Sequence, residues 1–374
     1  MHYVKNKLRI LIKNNLVLRC LIRLFKNRKD ISFLEKVLST EYPPEILIFG
    51  NDKLKMEEEK CYLLFDLRGD DVGTRGFCAL LRYALACCSV AEKIDAVPFI
   101  NIEDSLYNVP GGFLGCENMY SYYFETPKEG KINIINNRNC IMFRMRNIDL
   151  VYNSFSDEKT GTIVNGYKVT EPYLREMGRI MYKYVHLKNE LKEEFEIQIQ
   201  TLLKKRKTLG IHIRGTDFTA GLEKHPIAVT ADSYYEYIDA ALQQGFEMIF
   251  VATDDESILR ELINKYPQKV IFYQDTYRSK NGIALHMQKI ERVDNEYYLG
   301  KELLRDVYTL AACDGLVAGL SQVSFCTRIV KYAQNAEFSY LIEIDHGINK
   351  KRDNEKLEDY KKKLSKEGIK LNFD

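Results

Sequence analysis

The chain lacks the marks of several function classes. Its nine cysteines include no Cys-x-x-Cys pair and no Cys/His cluster at zinc spacing, so no metal site is expected. No P-loop sequence occurs, which excludes kinases and sulfotransferases built on that loop. Gly69, Gly73 and Gly76 of the first polar loop do not follow G-x-G-x-x-G spacing, so it carries no dinucleotide fingerprint. Charge of one sign is not in excess: 55 Lys and Arg stand against 53 Asp and Glu, a net +2. No basic stretch is interleaved with aromatics, and the even charge argues against a dedicated nucleic-acid binder. A membrane-spanning run, a secretory signal and internal repeats are all missing. The cysteine usage fits a reducing, cytoplasmic compartment, and Cys78, Cys87 and Cys88 sit in an apolar, helix-like run as small core residues.

What is present is a soluble globular composition, 45% hydrophobic and 29% charged over 374 residues, enough for two domains. The pattern divides into a basic amphipathic helical region (1–40), an acceptor-side α/β domain with bridging helices (41–205), a Rossmann-like domain (206–346) and a charged tail (347–374). Between Lys5 and Lys29 there is no acid, and Leu8, Leu11, Ile12, Leu18, Leu21, Ile22 and Phe25 recur at helical spacing. Lys13, Arg19 and Arg23 prevent that segment from spanning a bilayer. Two readings stay open: a helix lying in an anionic membrane surface, or one packed on the body with a solvated basic rim. The missing acids favour the membrane surface.

In the first half, Tyr62–Phe65 reads as a core strand that ends in the loop Asp66–Gly76, which contains Arg68 and Arg75. A helix over Phe77–Lys93 and a strand over Val97–Ile100 complete a βαβ unit. Tyr120, Tyr122, Tyr123 and Phe124 follow. Tyrosines suit carbohydrate, since the ring covers sugar C–H faces and the hydroxyl hydrogen-bonds; aromatic runs also pack in cores.

The most informative stretch is Leu209-Gly-Ile-His212-Ile-Arg214-Gly215-Thr216-Asp217. A short apolar run that ends in His, Arg and Asp reads as a buried parallel strand delivering polar groups to its carboxyl edge. Strands over Leu209–Ile213, Met248–Ala252, Val270–Tyr273, Gly315–Ala318 and Tyr340–Ile344 alternate with helices, which predicts a doubly wound parallel sheet. Ligands bind outside the carboxyl ends of such strands. The loops there carry His212, Arg214, Asp217, Glu223 and His225, then Thr253, Asp254 and Asp255, then Arg278 and His286. Ser321-Gln322-Val-Ser324 opens a helix, where free N–H groups can seat a phosphate. The plainer readings are an Arg214–Asp217 ion pair and ordinary N-capping by Ser321.

In order, His212-Ile-Arg214-Gly-Thr216-Asp217, His225-Pro226, Phe250-Val-Ala-Thr253-Asp254-Asp255, Leu285-His286, Leu304-Arg-Asp306 and Ser321-Gln322 resemble the fucosyltransferase superfamily. The nearest groups are the core α-1,6-fucosyltransferases and the nodulation fucosyltransferases. The resemblance covers about residues 207–335 and extends to the first half only by architecture. It implies a GT-B type fold of two Rossmann-like domains, a GDP-fucose donor, inversion at the anomeric carbon and no cofactor or metal. It places Arg214 on the donor's β-phosphate, with His212, Asp254, Asp255, His286 and Asp306 lining the nucleotide pocket. Ser321, Gln322 and Ser324 would take the diphosphate from the helix start. Glu223 is the first choice of base and Asp217 the second, although an ion pair with Arg214 suits Asp217 better. Arg68, Arg75, Tyr122 and Tyr123 would face the acceptor, a glycan, lipid-linked if the enzyme works at the inner membrane face.

One residue departs from the pattern. The family has two adjacent arginines, and here Gly215 stands in the second place. A charge-assisted contact of that kind is worth ~1.5–3 kcal/mol. Either Arg278 or Arg328 substitutes, or the donor is held differently. Rival readings are a GT-B enzyme for another nucleotide sugar, a nucleotide-sugar- or glycan-binding protein without turnover, and a partner in a surface-polysaccharide assembly.

Overall fold

The computed structural model describes residues 20–22, 45–49, 61–69, 73–128, 130–137, 139–145, 155–157, 162–164, 166–167 and 169–369. The basic segment 5–29, apart from residues 20–22, lies outside them. Among the described residues no helix is long and apolar enough to cross a membrane. The chain forms two compact units, Met1–Lys188 and Asn189–Asp374.

The first unit is built on strands β1 (Glu45–Phe49), β2 (Tyr62–Leu67), β3 (Val97–Ile102) and β4 (Cys140–Met145) in the order β1-β4-β2-β3. β2 runs parallel to β3 and β4, and β1 closes the edge antiparallel. Helix α1 (Phe77–Ile94) joins β2 to β3, as its apolar run predicts, and Cys78, Cys87 and Cys88 are buried in it as free thiols. α2 (Gly130–Asn137) precedes β4, and α3 (Glu171–Tyr184) ends the unit. Tyr122 and Tyr123 are in the core, not on an acceptor face. Phe77 and Phe113 pack on them at 5.0 and 5.5 Å, respectively against Tyr123 and Tyr122. That expectation is corrected: burying these rings removes far more apolar surface than a solvent-facing patch would.

The second unit opens with α4 (Asn189–Leu203) and β5 (Thr208–Ile213). It continues through α5 (Tyr235–Gln243), β6 (Met248–Thr253), α6 (Glu256–Lys265) and β7 (Val270–Ile271). Then come α7 (Asn295–Ala312), β8 (Gly315–Gly319), α8 (Gln322–Ala333), β9 (Tyr340–Ile344) and α9 (Asn354–Lys366). The sheet is parallel throughout, in the order β9-β8-β5-β6-β7. This is the doubly wound arrangement expected, with the reversal of strand order between β5 and β8.

β5 is buried on both faces, which explains its unbroken apolar run. Leu209, Ile211 and Ile213 pack with Tyr234, Ile238 and Leu262 on one side. On the other, Gly210 lets α7 approach: a Cβ there would lie 3.0 Å from Leu310 Cδ2.

Two boundaries differ from the sequence pattern. The pattern puts the domain break at 205/206, whereas the compact units divide after Lys188. α4 belongs with the second unit, where Glu194 pairs with Lys301 at 2.7 Å and Phe195 meets Tyr308. Within the charged tail expected over 347–374, Lys350–Lys366 reads as a solvated helix or tail; α9 is that helix, and only its full solvation is corrected. α9 buries Leu357, Tyr360 and Leu364, which recur on one helical face between charged residues.

Candidate functional site

The site is built at the switch point. β5 and β8 pair as far as His212 and Ala318, and there the hydroxyl of Tyr234 steps between them. It donates to the His212 carbonyl at 3.0 Å and accepts the Gly319 N–H at 2.9 Å. The sequence gives no sign of that role, since Tyr234 looks like any apolar position before a helix. His212 is buried with Nδ1 3.3 Å from Ser321 Oγ, so the ends of β5 and β8 meet through side chains too. Burial, reinforced by Arg214, brings its imidazole down to about 4, against the opposite pull of Asp254; the ring is neutral at ordinary pH.

Arg214 follows directly. Its guanidinium pairs with Asp254 at 2.7 Å and Asp217 at 2.8 Å and lies over the Phe218 ring. Asp254 is the organiser of this turn: it also accepts the Gly215 N–H at 2.8 Å and the Thr216 hydroxyl at 2.6 Å. Burial works against the charge on Asp217, yet Arg214, then His286 and His225, hold its carboxyl below the usual range. Asp217 is thus an ion-pair partner that orients Arg214. Asp255, expected in the pocket, is instead the N-cap of α6, accepting the Ser257 N–H at 2.8 Å.

Gly215 has a packing reason. A Cβ there would fall 2.6 Å from Asp255 Cβ and 2.9 Å from Ile258 Cδ1, because the start of α6 fills that space. Neither proposed substitute is a loose cation. Arg328 pairs with Glu343 at 3.0 Å, and Arg278 is buried with Nη1 donating to the Tyr273 and Thr276 carbonyls.

At the β8 edge, Ser321 caps α8 in a reciprocal box: its hydroxyl accepts the Ser324 N–H at 3.0 Å, and Ser324 Oγ accepts the Ser321 N–H at 3.1 Å. Both hydroxyls are therefore engaged in the cap, and Gln322 opens the helix.

Two groups stand out for what they lack. Asp306 on α7 is buried and its Oδ1 has no hydrogen-bond partner. Burial pushes its carboxyl up to about 7, although Arg278 and Arg305 nearby oppose this. Arg278 likewise leaves Nε and Nη2 without hydrogen-bond partners, with Asp306 the foremost charge facing it. His286, in the turn Leu285–Met287, has Asp217, Arg214 and Asp254 as its charged neighbours, so the structure brings it to the Arg214 cluster. Glu223 is exposed on the loop after Asp217.

The first unit has its own charged edge. Asp66, fully buried at the end of β2, takes Lys131 at 2.9 Å, Arg68 at 3.1 Å, Arg144 at 3.3 Å and Asn101 at 2.6 Å. Arg68, expected toward an acceptor, also pairs with Glu103 at 2.9 Å; Arg75 lies half-buried before α1. This cluster was invisible in the sequence because its members lie as far apart as Asp66 and Arg144. Among the described residues no group of three or more His, Cys, Asp or Glu could hold a metal.

Residues 170–332 match a family model described as alpha-(1,6)-fucosyltransferase N- and catalytic domains. Over these residues the chain is similar to the fucosyltransferases. The stretch matched by this fucosyltransferase model runs from the start of α3 to the end of α8 and holds His212, Arg214, Asp254, Asp306 and Ser321. Solved fucosyltransferases are similar at low identity. NodZ α-1,6-fucosyltransferase co-crystallized with GDP is 14% identical with a TM-score of 0.39, covering 74% of this chain and 92% of that one. NodZ from Bradyrhizobium is 15% identical with a TM-score of 0.38, covering 74% and 93%. POFUT1 in complex with GDP-fucose is 10% identical with a TM-score of 0.43, covering 75% and 97%. Each of the two units is an α/β unit built on a sheet with parallel strands.

Proposed function

We propose that the chain is a metal-independent fucosyltransferase that moves fucose from GDP-fucose to a hydroxyl of a glycan acceptor, with inversion. The observation that carries this reading is Arg214, held by two carboxylates at the switch point of a doubly wound sheet, inside the stretch matched by the fucosyltransferase model. A preoriented guanidinium is suited to a diphosphate, whose oxygens it can bind in pairs. Asp306 supports the base end: an unpartnered buried oxygen accepts from N–H donors, and a guanine edge supplies them.

In the proposed displacement the acceptor oxygen attacks the anomeric carbon as the bond to the β-phosphate oxygen breaks. The electron pair leaves with GDP, and Arg214 stabilises that charge as it develops. The acceptor's proton passes to a carboxylate. Asp217 is a poor proton acceptor, because its own pairing with Arg214 favours the ionised form. Glu223, exposed on the adjoining loop, is the better candidate. A lipid-linked acceptor at an anionic membrane surface fits the basic face of residues 5–29, and flotation with anionic vesicles tests that part.

Calorimetric titration of GDP in EDTA decides the central claim. Wild type should bind, and Arg214→Ala should lose about 100-fold in affinity, the weight of a buried charge-assisted contact near 3 kcal/mol. No binding by folded wild type would sink the GDP-fucose reading.

A further inference from the structure

The charged sequence after β9 stays on the second unit and runs along the loop that bears the candidate base. Ile227 N–H donates to the Gly347 carbonyl, Lys224 N–H to Asn349, Asn349 N–H to His225 and Asp353 N–H to Gly221, each at 2.9 Å. Pro226 and Ile348 form an antiparallel bridge within this ladder. α9 follows, and its Tyr360 and Leu364 close a small core with Ala220 and Ile283.

Tyr360 does more than fill space. Its hydroxyl accepts the Ala284 N–H at 3.1 Å and donates to Met287 Sδ at 3.7 Å, gripping the chain on both sides of His286. Asp217, Arg214 and Asp254, the same three charges that act on His286, act on the Tyr360 hydroxyl as well. Without the hydroxyl, the Ala284 N–H would be buried with no acceptor. The clasping segment itself, residues 345–366, lies past residue 332, where the family match ends, while the loops it holds lie within that match.

We propose that residues 345–366 form a clasp for the candidate site, with Tyr360 as the positioning residue that fixes the His286 turn and the 217–227 loop against Arg214. This rests on the reading that Arg214 receives a diphosphate. Tyr360 does not touch the donor; it sets where His286 and the loop stand when the donor arrives.

Tyr360→Phe in the full chain keeps the ring and removes only the hydroxyl. Amide hydrogen exchange without ligand should speed up about tenfold in peptides covering 217–227 and 283–288, as expected for one buried N–H left unpaired. β5 and β8 should keep wild-type protection. GDP affinity, by calorimetry, should fall by a similar factor. Lys362→Ala, on the exposed side of α9, should change neither readout. Wild-type exchange in Tyr360→Phe overturns the clasp, and loosened loops with unchanged GDP affinity overturn its link to the site. Equal effects in Lys362→Ala would mean general loosening of α9 and remove Tyr360's specific role. Should wild type not bind GDP, the Arg214 reading fails, while the exchange data still decide whether Tyr360 holds the turn.

Discussion

Both units carry a charged cluster at the carboxyl edge of their parallel strands, and the two are built with opposite polarity. In the first, one carboxylate, Asp66, gathers Arg68, Lys131 and Arg144. In the second, one cation, Arg214, gathers Asp217 and Asp254. What separates them is burial of the central group: the Asp66 side chain is 0% exposed, that of Arg214 26%. A sealed centre is satisfied by its own neighbours and serves the fold. A centre that keeps contact with solvent, fixed by partners on two loops, is preorganised for an arriving anion. Similar charge counts at similar places in a fold therefore do not mean similar roles.

Exchanging the centres is the sharpest way to break the comparison. Arg214→Ala leaves Asp217 and Asp254 without their cation, but Arg214 keeps contact with solvent, so the melting midpoint should fall only modestly while GDP binding collapses as above. Asp66→Ala should do the reverse. Removing a buried carboxylate from three cations costs about 3–5 kcal/mol in sealed sites; Arg68 and Arg144 reach solvent, so about 2–3 kcal/mol is expected here. Urea unfolding reads it. A large loss of GDP affinity in folded Asp66→Ala would overturn the purely structural role given to this edge.

Gly215→Arg tests whether the missing second arginine is a lost function or a filled space. The start of α6 occupies the position, so overpacking should lower stability by about 1–3 kcal/mol without tightening GDP. Tighter binding at an unchanged melting midpoint would restore the view that a cation has simply been lost.

The pH response separates Asp306 from His212. With its carboxyl raised to about 7, Asp306 is largely neutral below that pH in the free protein. A ligand donating N–H groups favours the ionised form, so GDP affinity should rise as pH climbs through about 7 and weaken by up to about tenfold per unit below it. Asp306→Asn should flatten that profile. For folding alone the sign is opposite: the unfolded chain releases this proton near pH 4, so the Asp306 contribution to stability declines between about pH 4 and 7. His212, brought down to about 4, stays neutral through this window and should add no slope to binding. A flat wild-type profile would remove Asp306 from ligand contact.

Much of the second unit was legible because parallel strands covered on both faces read as continuous apolar runs, and each ended in the polar residues of one edge. The helix over Glu256–Lys265 and the strand over Tyr340–Ile344 fall where their periodicity puts them. Arg214 with Asp217 was legible for a local reason, since they stand three positions apart across one turn. Long-range satisfaction was not legible. Nothing in the spacing of Asp66, Lys131 and Arg144 announces a common centre. The burial of Tyr122 and Tyr123 depends on Phe77 and Phe113, which arrive from other segments. α9 misled through its lysines: solvated charges dominate its composition, while Leu357, Tyr360 and Leu364 decide its place.

Tyr234 marks the smallest effect and the finest distinction between the two edges. In the first unit β2 and β4 stay in register through Asp66 and Leu67, and no side chain is inserted between them. In the second, β5 and β8 part after His212, and the Tyr234 hydroxyl bridges the gap. A crevice that must admit a ligand needs its strands apart, and the exposed carbonyl and N–H then need a partner that is not each other. Tyr234→Phe leaves those two backbone groups unbridged and should cost about 1 kcal/mol in urea unfolding, with an unchanged m-value. If stability does not move, water replaces the hydroxyl and the parting of β5 from β8 does not depend on it. A loss near 1 kcal/mol accompanied by weaker GDP binding would tie the width of the crevice directly to donor recognition.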